Sequence, residues 1–128
     1  MSRAAASIVV FGVYIAIVGM ALVFAPNLLL PLVGVPTTGE VWIRLAGMLL
    51  LILGFFYIQA GRHAIVPFFR WTLVTRLGAA FFVVGFVLAR LVSPVIILFW
   101  LGDLAGAIWT ALALRADGYS LVGKTNGR

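Results

Sequence analysis

Four long apolar runs separated by short breaks make up most of the chain. They extend roughly from Ala5 to Ala25, Val41 to Ala60, Pro67 to Arg90 and Pro94 to Arg115. A helix needs about 20 mainly apolar residues to cross about 30 Å of hydrocarbon, so each run predicts a transmembrane helix. The strands of a membrane barrel would alternate polar and apolar over about 9–11 residues, whereas these runs are apolar on all sides. An open sheet would leave backbone groups unpaired in lipid. The fold class predicted is all-α: a four-transmembrane-helix antiparallel bundle, with residues 1–115 as the membrane domain and 116–128 as a flexible cytoplasmic tail. The first run is read as a span rather than a signal peptide, because its apolar stretch is longer than the usual signal core of about 7–15 residues.

The breaks carry helix-start signals. Pro67 and Pro94 stand where the third and fourth spans begin, positions at which proline loses no helical hydrogen bond. Ser93 is placed to cap the fourth span, and Thr37 and Glu40 have capping-box spacing for the second. Gly61, Arg62 and His63 mark a polar turn. The first outer loop holds Pro26, Pro31 and Pro36, so no long helix runs through it. Yet apart from Asn27 it is apolar. Two readings stand: it packs in the outer interface as a cap on the bundle, or it forms a lid over a ligand cavity.

Composition agrees with the pattern. Of 128 residues, 65% are hydrophobic and 9% charged, against about 45–50% and about 25% in soluble domains. Too few charges exist to cover a water-soluble surface, and hydrophobicity is too high for disorder. There is no cysteine, which excludes disulfides, thiolate metal sites and thiol nucleophiles. Four spans put both termini on one side. Arg3, Arg62, Arg70, Arg115, Lys124 and Arg128 gather there, with Arg76 as well if its side chain snorkels, against Arg44 and Arg90 opposite. The positive-inside rule makes the richer side cytoplasmic. The net charge of +6 then serves attraction to anionic lipid. No basic, aromatic-interleaved surface suggests nucleic acid as a partner.

Between membrane helices, close approach through small residues replaces the hydrophobic drive. Glycines recur seven apart, on nearly one helix face, at Gly12 and Gly19, Gly47 and Gly54, and Gly78 and Gly85, while Gly102 and Gly106 form a GxxxG pair. All eight are assigned to helix packing. Contacts within the chain are one reading; a homo-oligomer contact, above all through Gly102 and Gly106, is the other. Trp42, Trp71, Trp100 and Trp109 lie within a few turns of span ends, as interfacial anchors do.

Only three acids are present: Glu40, Asp103 and Asp117. Glu40 suits a helix start within reach of Arg44, and Asp117 is expected in solvent. Asp103 falls mid-span, where a carboxylate costs about 2.5–3.5 kcal/mol on insertion scales. An intramembrane ionisable group marks a functional site when a partner can be named, and the partner is Arg76. Counted from the cytoplasmic ends the two differ in depth by about 4–5 Å, a gap an arginine spans. Thr72, Arg76 and Ala79 share one stripe, and Asp103, Gly106 and Thr110 another. One polar seam is therefore expected, with Asp103, Arg76, Thr72 and Thr110 as ligand-binding candidates. A fixed ion pair that sets helix register, a site for the polar end of a ligand, and a proton-linked site all remain open readings.

Other polar residues define no chemistry. Ser7, Tyr14, Tyr57, Gln59 and Thr75 can each close a hydrogen bond. His63 is the sole histidine and makes no metal set, so neither a metal nor any cofactor is expected, and no catalytic residue is assigned. Residues 118–125 satisfy the phosphate-loop pattern GxxxxGK[ST]. A membrane helix precedes them and no strand delivers the loop, so no nucleotide is expected.

The four-span layout, with Pro67-Phe68-Phe69-Arg70 and Gly102-Asp103-Leu104-Ala105-Gly106-Ala107-Ile108-Trp109-Thr110, resembles the small bacterial four-helix membrane proteins grouped as DoxX-like. The resemblance implies the layout and a bacterial inner membrane, and no activity. The small multidrug transporters match in size and span count, but carry an essential glutamate in a first helix that has no acid here. Three functions follow: binding or transport of a small apolar or amphipathic molecule or lipid at Asp103 and Arg76; an accessory or scaffold subunit; and, least supported, a membrane isomerase. A general base paired with arginine is poorly tuned for neutral pH.

Overall fold

The computed structural model describes residues 2–119, and among these every regular element is helical. In chain order they are α1 (Arg3–Phe24), α2 (Pro26–Leu29), a 3₁₀ turn (Leu30–Val33), α3 (Trp42–Arg62), α4 (Val66–Leu88) and α5 (Val95–Ala116). The four long ones are each long and apolar enough to cross a membrane. Of the tail assigned to 116–128, residues 120–128, and with them most of the phosphate-loop-like segment, lie outside the described residues, while Ala116 ends α5.

Helix ends differ from expectation where side chains find other partners. α3 starts at Trp42 with no side-chain cap. The capping box of Thr37 and Glu40 is not formed: the Glu40 amide donates to Thr38 Oγ1 at 3.1 Å, and the Glu40 carboxylate accepts from Trp42 Nε1 at 2.8 Å. Arg44 donates to the Val23 carbonyl. At α5, Pro94 takes the cap position while Ser93 Oγ accepts from Val95 N at 3.3 Å. Asp117 is not merely solvated. Its Oδ2 accepts from Ala4 N at 2.9 Å, so the end of α5 caps the start of α1.

Two turns use a left-handed residue that is not glycine. After α3, Ala64 has φ 53°, with Ile65 N donating to Ala60 O at 3.0 Å and Ala64 N to Gly61 O at 3.2 Å. After α4, Arg90 has φ 60°, with matching bonds from Leu91 N to Phe86 O and from Arg90 N to Val87 O. Both are Schellman endings, here formed without the glycine that usually signals them.

The outer loop caps one end of the molecule. Leu30 is buried with Leu22 and Ile43. Gly34, at φ 76°, closes the 3₁₀ turn where a β-carbon would lie 3.0 Å from that of Val95. The loop thus ties α1 and α3 to the start of α5.

The pair α1 and α3 is the most intimate in the fold, and glycine explains why. A β-carbon on Gly19 would stand 2.7 Å from Gly47 O, one on Gly47 2.8 Å from Gly19 O, one on Gly54 2.9 Å from Gly12 O and one on Gly12 2.8 Å from Tyr57 Cβ. Gly61, read from sequence as part of a polar turn, instead lies buried in α3 and belongs to the same seam, 3.0 Å from Ala5 O by that measure. The other glycines assigned to packing are placed differently. Gly78, Gly85 and Gly102 have nothing within 4 Å of a β-carbon, and Gly106 makes only ordinary contacts. α5 leans on α1 and α4, and α4 barely touches α3.

Burial is uneven along the bundle. A core of Ala4, Ala5, Ile8, Tyr57, Phe69, Ala113 and Leu114 joins all four long helices near the start of α1. Beyond it α4 and α5 open out. No described side chain of α5 before Ala107 is buried, and Val83 is the one buried residue of α4 beyond Arg76.

Candidate functional site

Arg76 sits where the packed end gives way to the open one. Its side chain is carried by α4 toward α1 and α5, and only 4% of the residue is exposed. The guanidinium carbon lies 3.8 Å from the centre of the Phe11 ring and 5.7 Å from that of Tyr57. The two rings are themselves 5.2 Å apart, so the cation rests against an aromatic corner made by α1 and α3. Such contacts supply up to about 2 kcal/mol when desolvated. Gly106 leaves the space on the α5 side: a β-carbon there would lie 3.8 Å from Arg76 Nη1 and 3.6 Å from Phe11 Cδ1.

Arg76 Nη1 donates to Thr110 Oγ1 at 3.4 Å. Thr110 is fully buried, and its hydroxyl is shared with Ser7 Oγ at 2.8 Å; Ser7 Oγ in turn donates to Ala4 O at 2.7 Å. A polar relay thus links α4, α5 and α1. Arg76 Nε and Nη2 are buried and have no hydrogen-bond partner. This is an expensive arrangement, since an unsatisfied buried donor costs about 1–3 kcal/mol and more when charged.

The residues assigned from sequence are brought together unequally. Arg76 and Asp103 line one cavity of about 170 Å³, whose walls include Phe11 from α1, Tyr57 from α3, Thr75 from α4 and Trp100 from α5. All four long helices therefore contribute. The guanidinium donates to Thr110, and Asp103 lines the same cavity as its one carboxylate. Thr72 is buried on the same stripe as Arg76, but its hydroxyl donates to Phe69 O at 2.7 Å. That back-bond within its own helix satisfies it locally.

The partners that sequence reading placed in minor roles are Ser7 and Tyr57, and the one it passed over is Phe11. A buried serine on an Ala-rich face of α1 was the available signal for Ser7. Nothing in an apolar run distinguishes Phe11 from a lipid-facing phenylalanine.

The chemistry this arrangement offers is recognition. Arg76, with two donor nitrogens that the fold leaves unpartnered, and the Asp103 carboxylate line a chamber whose other walls are mainly aromatic and aliphatic. They can hold a small polar group while the walls enclose an apolar body. No family model matches the chain, and no curated protein or solved structure shows significant similarity to it.

Proposed function

We propose that this protein is a multi-pass membrane protein that binds, or carries across the bilayer, a small apolar or amphipathic molecule, its polar end held between Arg76 and Asp103. The bundle is antiparallel with both termini in the cytoplasm, and the membrane is a bacterial inner membrane. The observation that carries the reading is Arg76: a nine-tenths buried cation with Nε and Nη2 unpartnered, lining a four-helix cavity with Asp103. A cation kept for register alone would be expected to have its donors satisfied within the fold. A buried cation whose donors the fold leaves unsatisfied beside a chamber favours a ligand that completes them.

The experiment is Arg76→Met, with organic extraction of the detergent-purified protein and mass spectrometry of what it releases. The wild type is expected to release a small molecule in near-stoichiometric amount and Arg76→Met none. The variant's melting temperature should match or exceed the ligand-free wild type's, since an apolar chain of similar length replaces a partly unsatisfied cation. An empty wild type together with a variant weakened by about 3 kcal/mol or more would make Arg76 a structural residue.

A second reading, an accessory subunit of a larger assembly, rests on Gly78, Gly85 and Gly102, whose open sides none of the described residues approaches. It predicts one stoichiometric protein partner that co-purifies and is lost in Gly78→Leu.

A further inference from the structure

Beside the Arg76 chamber, with which it shares Phe11, a long groove runs down the outside of the bundle between α1 and α5. It consists of two adjoining cavities, of about 350 Å³ and about 260 Å³, that meet at Trp109. On α1 it is lined by Arg3, Ala6, Val10 and Tyr14, which recur at the three-to-four-residue spacing of a single helix face. On α5 the facing stripe holds Gly102, Gly106, Trp109 and Ala113. The glycines make this groove. A β-carbon on Gly102 would meet nothing within 4 Å, so none of the described side chains fills the space.

We infer that this groove seats one acyl chain of an anionic phospholipid, whose phosphate is held by Arg3 at the mouth. Three features of the groove select that occupant. Its length comes first: from Arg3 to Tyr14 the helix rises about 16 Å, which is close to one leaflet, half of a hydrocarbon core of about 30 Å. Next is its bore. The two cavity volumes spread over that length leave a cross-section on the order of 40 Å², about half that of a helix with its side chains, roughly 10 Å across. A hydrocarbon chain fits and a helix of a second copy does not. The last is charge. Arg3 lines the groove at the start of α1 and is exposed, and exposed Arg115 stands in the last turn of α5 at the same end. The one nearby acid, Asp117, is turned to Ala4 N. A cation at the membrane surface favours an anionic headgroup by about 1 kcal/mol, which is roughly a fivefold preference.

Native mass spectrometry of the full chain in detergent tests this, with phosphatidylglycerol and phosphatidylcholine of identical acyl chains titrated in turn. The wild type should hold one phosphatidylglycerol at least about fivefold more tightly than phosphatidylcholine. Arg3→Ala should remove the preference and leave the weaker, headgroup-independent binding. Gly102→Leu, whose new side chain projects into the groove, should lose both lipids, while Gly78→Leu on the open face of α4 keeps them. Val10→Trp fills the same groove from α1 and replaces Gly102→Leu should that variant fail to fold. Equal binding of the two lipids by the wild type overturns the proposal. So does a preference that survives Arg3→Ala, or lipid retained in both groove-filling variants. A lipid-free wild-type dimer that Gly102→Leu converts to a monomer in light scattering would assign the groove to a second copy.

Discussion

Glycine's role here depends on what faces it. Gly47 and Gly78 both belong to seven-spaced pairs in apolar helices. A β-carbon on Gly47 would press on a backbone oxygen and on Leu22 Cβ, each at 2.8 Å, whereas one on Gly78 would enter open space. Backbone does not yield as a side-chain tip does. Gly47→Ala is therefore expected to lower stability by about 1–3 kcal/mol, the range for overpacking, and Gly78→Ala to cause no loss, since alanine also favours the helix. Reversible unfolding by denaturing detergent, followed by circular dichroism, measures both. Equal losses would mean that the α1–α3 seam is not what distinguishes them. The same lesson applies to Arg76 and Asp103. Their depth and facing stripes were legible in the sequence because charge is so scarce in these spans. The partner Arg76 chose was not, because a hydroxyl such as Thr110 gives no signal of its own in an apolar run.

At the scale of elements, helix number and approximate extent followed from hydropathy, and the proline-rich loop was readable as a break. Helix-to-helix packing was not. In lipid the outside of a bundle is as apolar as its inside, so the hydrophobic periodicity that orients helices in water is mute. The sequence could not show that α1 and α3 would pack through backbone contact while α4 stood apart. Helix ends were equally obscure, because Ala64 and Arg90 occupy positions where glycine is the usual marker. Asp117 is the clearest case. It looks like a tail residue, yet it caps α1 across the fold, 113 positions away in sequence. It therefore joins two helices that are also linked by the Ser7–Thr110 hydrogen bond one turn further in. Asp117→Ala should cost about 0.5–2 kcal/mol, as loss of an N-cap does, and Asp117→Asn, which keeps an oxygen acceptor, should retain most of the stability. Melting temperatures of the two variants in one detergent check this. If alanine and asparagine behave alike and neither lowers stability, the contact from Asp117 to Ala4 contributes nothing.

For the whole molecule, the distribution of charge and the distribution of packing point the same way. The start of α1, the end of α3 and the end of α5 lie together, tied by the contact of Asp117 with Ala4 and by Gly61 against Ala5. Arg3, Arg62, Arg70 and Arg115 are at or near that end, and the shared core of the bundle is there too. The opposite end carries Arg44 and Arg90, is capped by the apolar loop, and opens between α4 and α5. If the richer end is cytoplasmic, as the positive-inside rule predicts, the packed core shared by all four long helices stands between the cytoplasm and the Arg76 chamber. A ligand would then enter laterally from lipid rather than from the cytoplasm. Orientation is decided by fusing green fluorescent protein or alkaline phosphatase to the C-terminus: fluorescence without phosphatase activity is expected. Moving the charge should move the topology. Replacing Arg3, Arg62, Arg70 and Arg115 with glutamine while adding four lysines between Gly34 and Glu40 should shift part of the population to the inverted form, because the bias is set by Lys and Arg close to the spans. An orientation that ignores this exchange would mean that the apolar loop or another feature of the spans, and not the arginines, sets the direction in which the chain enters the membrane.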